Sequence, residues 1–194
     1  IDGIVLDKSV STITKTRVLA QHQQIVRIDK EVSGEDLRGP LLNKVKNFIQ
    51  EKMEKADAVI ISDYGKGMIT PDLVSVITGL AIQKGIPVTV DPKVEHFRCY
   101  RNVTCITPNL KEAENAIRNI KIREDDGSSL GVKTDSLKTV KDIEDAGAKL
   151  LRYLNLESLL ITLGERGMRL FEKGKKPYAI DTMAREVFDV TGAG

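Results

Sequence analysis

The sequence predicts an α/β fold with a mainly parallel sheet flanked by helices. Short, continuously apolar runs such as residues 58–62 alternate with longer segments whose apolar residues recur at helical spacing. Strands that alternate with helices in this way favour parallel pairing. The N-terminal segment differs, because β-branched runs at 12–19 and 23–28 are separated by only three residues. We therefore expect residues 12–31 to form a small separate β sheet and residues 37–194 to form one α/β core.

Local signals justify the elements in order along the chain. Helical spacing predicts a helix over 37–55 with Pro40 in its first turn. Thr70 as the cap, Pro71 in the first turn and Gly85 as the stop predict a helix over 70–84. The same alternation predicts strands at 58–62, 86–90, 105–107 and 158–163, helices at 110–119 and 139–154, antiparallel additions at 168–171 and 178–181, and a polar loop at 120–137.

Composition argues against several classes of function. The 194 residues carry 30 basic and 28 acidic side chains, so a net charge of +2 gives no reason to expect nucleic acid or a membrane as partner. Apolar runs fall far short of the ~20 residues of a membrane span. Cys99 and Cys105 lack metal-ligand spacing and are expected to be structural thiols in a reducing cytoplasm. His22 and His96 stand alone and are expected to be non-catalytic.

Polar and glycine-rich segments follow the predicted strands. In open parallel sheets, ligands bind beyond the carboxyl ends of the strands. The segments that leave such ends are residues 62–67, 91–93, 107–112 and 162–167. A fifth segment, 189–194, presents the backbone N–H groups of Gly192, Ala193 and Gly194, either as an anion site or as a plain turn. No GxGxxG follows an early strand, which disfavours a dinucleotide-dependent oxidoreductase.

Two pairs of side chains in these segments have two interpretations each. Asn109 and Glu112, three residues apart at a helix start, either hold a phosphate and a Mg²⁺-bound water or cap the helix. Lys66 and Lys93 each follow an Asp near a strand end. They are either solvated lysines or a positive pocket for a phosphorylated substrate.

Three of the segments together resemble the motifs of one enzyme family. Residues 189–194 resemble the D-x-T-G-A-G-D signature of ribokinase-like (phosphofructokinase-B type) carbohydrate kinases up to its last residue. Residues 109–112 resemble that family's N-x-x-E motif, and residues 162–167 its T-L-G-x-x-G loop. The chain is identified as a member of this family. Residues 12–29, 62–67 and 90–93 are most similar to the branch that phosphorylates D-glycero-D-manno-heptose 7-phosphate.

The resemblance implies ATP and Mg²⁺ as cofactors and assigns roles to particular residues. An anion hole is implied at Gly192, Ala193 and Gly194. Nucleotide contacts are implied at Asn109, Leu110, Lys111, Glu112, Thr162, Leu163, Gly164, Glu165, Arg166 and Gly167, with Glu112 reaching Mg²⁺ through water. Sugar-phosphate contacts are implied at Lys15, Arg17, Lys66 and Lys93.

The implied reaction transfers a phosphoryl group from ATP to the anomeric hydroxyl of the heptose 7-phosphate, towards ADP-heptose and the lipopolysaccharide core. The family's catalytic Asp follows G-A-G, where this chain ends, so we expect a fragment truncated at both ends and inactive by itself. The resemblance further implies that residues 12–31 form a β lid, that two copies pair through this lid as a homodimer, and that the parent protein is possibly fused to an adenylyltransferase domain. A fructokinase-like enzyme of the same family and a nucleotide-binding module without catalysis remain alternatives.

Overall fold

The computed structural model describes residues 3–8, 11–21, 23–31, 36–122 and 130–182. Its strands are β1 Thr14–Ala20, β2 Gln23–Lys30, β3 Val59–Ser62, β4 Val88–Asp91, β5 Cys105–Ile106, β6 Ser158–Thr162, β7 Met168–Glu172 and β8 Tyr178–Ile180. Its α-helices are α1 Gly39–Met53, α2 Pro71–Lys84, α3 Leu110–Ile122 and α4 Val140–Tyr153. Short 3₁₀ helices span Val94–Cys99 and Gly164–Arg166.

Six strands form one sheet whose spatial order, β3-β4-β5-β6-β7-β8, is also the order along the chain. The pairs from β3 to β6 are parallel, whereas β7 and β8 add antiparallel strands. This confirms the predicted mainly parallel sheet with antiparallel additions. Right-handed crossovers between successive neighbours place their helices on the same face of a sheet.

A row of apolar side chains crosses five strands in register on that face. The paired residues are Ile61, Val90, Ile106, Leu159 and Phe171. None of them is more than 2% exposed, because α3 and α4 pack on the sheet and buried residues of α2 and of the 3₁₀ helix Val94–Cys99 belong to the same core cluster. On the opposite face of β3, Ile60 is 77% exposed. The core of the described residues therefore lies between the sheet and one helical layer.

The ends of α2 follow the local signals predicted for them. Thr70 accepts a hydrogen bond from the Leu73 N–H at 3.2 Å, and Pro71 occupies the first turn. Gly85 ends the helix in the left-handed conformation at φ 68°. By contrast, α1 begins after Arg38 without a side-chain cap, although Pro40 lies in its first turn as predicted.

The lid residues form a separate two-stranded antiparallel sheet, as predicted. Pairing places Val18 opposite Val26 and Lys15 opposite Asp29. Side chains alternate along strands, so the hairpin has one mainly apolar face and one charged face. Isolated two-stranded sheets are only marginally stable in water, and both strands here are exposed along their whole length.

The predicted polar loop at 120–137 is wrong in two respects. Helix α3 continues to Ile122, and Leu130, Val132 and Leu137 are buried in the main core. A hydrogen bond of 2.7 Å from the Leu137 N–H to Glu114 Oε1 ties this segment to α3. Residues 123–129 lie outside the described part. Among the helices that the structure describes, none is long and apolar enough to cross a membrane.

Two helical glycines have opposite surroundings and give a paired stability prediction. A Cβ added at Gly147 on α4 would lie 2.3 Å from Phe171 Cζ, whereas one at Gly79 on α2 would meet nothing within 4 Å. We expect Gly147→Ala to lower the free energy of unfolding by about 1–3 kcal/mol through overpacking. Gly79→Ala should raise it by roughly 0.5–1 kcal/mol, because glycine is a poor helix former.

Urea denaturation of the 194-residue chain measures both changes. If Gly147→Ala were as stable as the unmodified protein, the close packing of α4 on β7 would be contradicted.

Candidate active site

At the carboxyl edge of the sheet, backbone hydrogen bonds join residues that follow one strand to the end of the neighbouring strand. The Asp63 N–H donates to the Asp91 carbonyl at 3.1 Å, and the Thr107 N–H donates to the Val90 carbonyl at 3.0 Å. The Thr162 N–H donates to the Pro108 carbonyl at 3.0 Å. These bonds bring the predicted ligand-binding segments together on one edge, where ligands of open α/β sheets bind.

Two cavities open along this edge and share Lys93 and Glu95. The first, of about 580 Å³, lies between the charged face of the hairpin and the loop after β3. The second, of about 430 Å³, follows the start of α3 and is lined by Asn109, Lys111 and Glu112. A ligand in one cavity therefore adjoins a ligand in the other at Lys93.

The Asn109–Glu112 pair forms a reciprocal helix cap. The Asn109 N–H donates to Glu112 Oε2 at 2.8 Å, and the Glu112 N–H donates to Asn109 Oδ1 at 2.9 Å. This is the capping interpretation of the pair. It uses one oxygen of each side chain, so the Asn109 amide nitrogen and Glu112 Oε1 are left to face the cavity that both residues line. Capping and ligand binding are therefore compatible.

In the segment 162–167, one glycine is packed against β8 and the other is open to solvent. Gly167, at φ 76°, has the Ile180 carbonyl oxygen only 2.0 Å from where a Cβ would be, so packing of β8 explains that glycine. Gly164, at φ 62°, has nothing within 4 Å of such a Cβ. Leu163, like Leu110, packs against the core. The open surface over Gly164, beside exposed Glu165 and Arg166, is the part that a nucleotide can approach.

The predicted sugar-phosphate cations meet at the larger cavity, with one difference. Lys15, Lys66 and Lys93 line it, whereas Arg17 lies further along the hairpin, paired in register with Arg27. Arg27 lines the cavity instead and makes a two-pronged contact with Asp29, both bonds at 2.7 Å. Sequence reasoning missed Arg27; the alternation of Lys15, Arg17, Arg27 and Asp29 on one hairpin face is the signal that could have found it.

A carboxylate from the hairpin occupies part of this cationic cavity. Glu31 contacts Lys66 Nζ at 2.5 Å and Lys15 Nζ at 3.7 Å. The hydrogen bond from Lys66 lowers the pKa of Glu31 below its ordinary value. The contact therefore persists above the ordinary carboxyl range and is lost as the pH falls through the lowered pKa. Among the residues that the structure describes, Lys93 forms no ion pair, which leaves it available to an anion.

The sequence suggested that His96 stands alone, but the structure gives it a partner. Its Nδ1 lies 2.7 Å from Asp63 Oδ2, which also accepts a 2.5 Å hydrogen bond from Tyr100 Oη. Asp63 is 5% exposed and Tyr100 is fully buried. The three residues form a largely buried polar cluster next to the larger cavity, whose lining residues Gly65 and Lys93 are bonded to Asp63 and Tyr100. Nothing in the spacing of these residues signals it, because the 3₁₀ helix Val94–Cys99 brings them together.

The residues present fit a loosely held magnesium ion but no protein-built metal cage. In the described ranges, no three His, Cys, Asp or Glu side chains cluster as metal ligands. Mg²⁺ usually keeps several waters and is held by one or two carboxylates together with substrate phosphates. Glu112, with one oxygen left over from the cap, matches that requirement. The predicted anion hole at Gly192, Ala193 and Gly194 lies outside the described residues.

A mainly parallel sheet flanked by helices, together with a separate antiparallel hairpin near the N-terminus, defines a ribokinase-like fold. Solved structures support the fold: phosphofructokinase-2 from Escherichia coli in complex with substrates and products has a TM-score of 0.61 at 15% identity, covering 87% of this chain and 50% of that one. Ribokinase from Arabidopsis thaliana complexed with ribose and ATP has a TM-score of 0.53 at 21% identity, covering 89% of this chain and 49% of that one.

Sequence comparison leads to the family itself. The model of the pfkB family of carbohydrate kinases matches residues 1–194. The chain is 41% identical over 194 residues to "Bifunctional protein HldE" of Geobacter sulfurreducens and 38% identical over 193 residues to that of Desulfatibacillum aliphaticivorans. Each match extends over 100% of this chain and 36% of the relative. The chain belongs to the pfkB family of carbohydrate kinases, and it spans about a third of the length of these curated relatives.

Asn109 caps α3 with its side-chain oxygen and can offer its amide nitrogen to a ligand. Two substitutions at this position should therefore affect stability and ligand binding differently. Asn109→Ala removes the cap and should lower the free energy of unfolding by about 1 kcal/mol. Asn109→Ser should leave stability nearly unchanged, because serine is an equally good N-cap, while removing the amide donor. Thermal unfolding compares the two variants. Equal loss of stability in both would contradict a cap made by the Asn109 side chain.

Proposed function

We propose that this chain is the central part of an ATP-dependent kinase that phosphorylates the anomeric hydroxyl of D-glycero-D-manno-heptose 7-phosphate. The product would be the 1,7-bisphosphate used for ADP-heptose and the lipopolysaccharide core, made in the cytoplasm. The observation that carries this proposal is the pair of cavities that meet at Lys93 on the carboxyl edge of the sheet. One cavity has the residues expected for nucleotide phosphates, and the other has those expected for a sugar phosphate.

The larger cavity suits a sugar that carries a phosphate of its own. Lys15, Lys66 and Lys93 supply ammonium groups, and the hairpin forms one wall. Asp29, Glu31 and Glu95 offer acceptors that sugar hydroxyls can donate to. A neutral sugar would use the carboxylates but leave Lys93 without an anionic partner, whereas Lys66 and Lys15 already contact Glu31, so the cavity favours a phosphorylated substrate.

The smaller cavity suits the phosphates of ATP. The Asn109 amide can donate to a phosphate oxygen, and Lys111 adds a positive charge at the mouth of the cavity. Mg²⁺, held by water on Glu112, would neutralise the phosphates. We propose that the amides of Gly192, Ala193 and Gly194 stabilise the charge on the transferred group. The open surface over Gly164 would lie against the nucleotide.

The curated relatives support the choice of sugar. They are named "Bifunctional protein HldE", and the segments at 12–29, 62–67 and 90–93 are those that resemble the heptose 7-phosphate branch. Because the chain spans about a third of these relatives, a second catalytic domain in the same polypeptide is part of the proposal. An adenylyltransferase would use the product of the kinase after removal of one phosphate.

A coupled assay with ATP and Mg²⁺, run on the longest natural polypeptide that carries these 194 residues, tests the function. We expect heptose 7-phosphate to exceed unphosphorylated heptose by about 100-fold in kcat/KM, because charge-assisted hydrogen bonds to the phosphate would be lost. Asn109→Ser should lower activity without lowering stability.

Other outcomes of that assay would contradict the proposal. A preference for fructose or another free sugar would point to a fructokinase-like enzyme. Binding of ATP in calorimetry without turnover of any sugar would point to a nucleotide-binding module.

We also propose that the hairpin pairs two copies of the chain. Its apolar face carries Val18, Val26 and Ile28, which are 42%, 45% and 57% exposed in the single chain. The opposite, charged face closes the sugar cavity. A second copy that covers the apolar face would stabilise a hairpin that is marginal by itself. Pairing would thus hold the lysine-bearing wall of the cavity in place.

Light scattering after gel filtration tests the pairing. The unmodified protein should elute as a dimer, and Ile28→Lys should shift it to a monomer by placing a charge in the apolar face. Ile82→Lys changes an equally exposed isoleucine on α2, which is 61% exposed, and should leave the dimer intact. A dimer that survives Ile28→Lys would contradict pairing through this face.

A further inference from the structure

The side chain of Asp63 is 1% exposed and lies next to the larger cavity, because it is bonded to Gly65, which lines that cavity. Its Oδ2 receives the Tyr100 hydroxyl at 2.5 Å and His96 Nδ1 at 2.7 Å. Its Oδ1 receives the Gly65 N–H at 2.7 Å. A buried carboxylate is costly unless donors surround it, and these three donors fix its orientation.

Tyr100 connects this carboxylate to Lys93. Its hydroxyl donates to Asp63 and at the same time accepts the Lys93 N–H at 3.1 Å. Burial, together with the hydrogen bond to Asp63, raises the pKa of Tyr100 above the ordinary tyrosine value. The phenol therefore stays protonated, and the direction of both hydrogen bonds is set. The ring is held edge-on against Phe97, with 6.2 Å between ring centroids.

Gly65 connects the same carboxylate to Lys66 and to the stem of Lys93. The bond to Asp63 closes a tight turn in which Gly65 adopts φ 62°, and Lys66 is the next residue. A Cβ at Gly65 would lie 3.0 Å from Lys93 Cγ and 3.3 Å from Lys93 Cε. The stem of Lys93 therefore rests on the bare backbone of Gly65, which restricts the rotamers of a flexible side chain.

We infer that Asp63 and Tyr100 are positioning residues that set the separation of Lys66 and Lys93, and so adapt the cavity to a phosphomonoester. They act through the two lysines and do not touch the ligand themselves. The inference rests on the proposed function only in taking the phosphomonoester to be that of the sugar substrate. Without the Tyr100 hydroxyl, the Lys93 N–H loses its acceptor, and the segment that carries Lys93 loses one of its two contacts with the Asp63 carboxylate, the other being that of His96 Nδ1.

The test titrates inorganic phosphate into the labelled protein and follows the amide signals of Lys66 and Lys93 by NMR. Tyr100→Phe removes one oxygen atom and keeps the ring. It should weaken phosphate binding about tenfold, since a buried hydrogen-bonding group loses its partner, and should speed hydrogen exchange at the Lys93 amide. Asp63→Asn should weaken binding further. Lys93→Met, which keeps the stem but not the charge, should abolish the shifts.

Tyr153→Phe is the matched control, because it makes the same chemical change on α4, where the Tyr153 ring contacts Arg101. Its phosphate affinity should equal that of the unmodified protein. In the kinase assay, Tyr100→Phe should raise KM for heptose 7-phosphate about tenfold while KM for ATP and kcat change little. A purely structural role would lower the melting temperature without this separation of the two KM values.

Three results would overturn the inference. They are equal phosphate affinity in Tyr100→Phe and the unmodified protein, equal weakening in Tyr153→Phe, and absence of phosphate binding at Lys66 and Lys93 in the unmodified protein. Failure of the proposed function is a separate outcome. In that case heptose 7-phosphate is not turned over, while the phosphate titration still reports whether Asp63 and Tyr100 position the lysines.

Discussion

The in-register apolar row across five strands is the constraint on which the rest of the molecule depends. Ile61, Val90, Ile106, Leu159 and Phe171 can all face the helices only in one register, since a slip of one residue would turn a strand's apolar side chains to the opposite face. That register aligns the carboxyl ends of four parallel strands. The loops after them then lie beside the ends of neighbouring strands, to which backbone hydrogen bonds join them, and the two cavities on this edge share Lys93.

Electrostatic selection in the larger cavity depends on placement more than on net charge. Lys15, Arg27, Lys66 and Lys93 face Asp29, Glu31 and Glu95, so the two signs nearly balance. Arg27 is engaged by Asp29, and Lys66 by Glu31. The backbone N–H of Lys93 donates to Tyr100, and the Lys93 ammonium group has no ionic partner among the described residues. An anion that enters the cavity can therefore bind Lys93 directly, but it must displace Glu31 to bind Lys66.

Sequence reasoning succeeds where the signal is local and fails where contact depends on distant pairing. The ends of α2 are marked by Thr70, Pro71 and Gly85, because each determines the backbone conformation or hydrogen bonding within one turn of its own position. The partnership of Asp63 with His96 joins residues 33 apart and depends on a 3₁₀ helix with no period of its own. Arg27 reaches the cavity through hairpin register, and the burial of Leu130, Val132 and Leu137 is hidden by the polar residues around them.

The order of the strands bears on how the chain acquires its structure. Each strand from β4 to β8 pairs with the strand that precedes it, so every pairing described in the main sheet joins strands that are consecutive along the chain. The parallel partners are nevertheless separated by whole helices, since the paired residues Cys105 and Ser158 lie 53 positions apart. Loop entropy must be lost before each parallel pair forms, whereas β6, β7 and β8 pair across short turns. During synthesis, when the N-terminal part emerges first, the main sheet can grow one strand at a time from β3 onward.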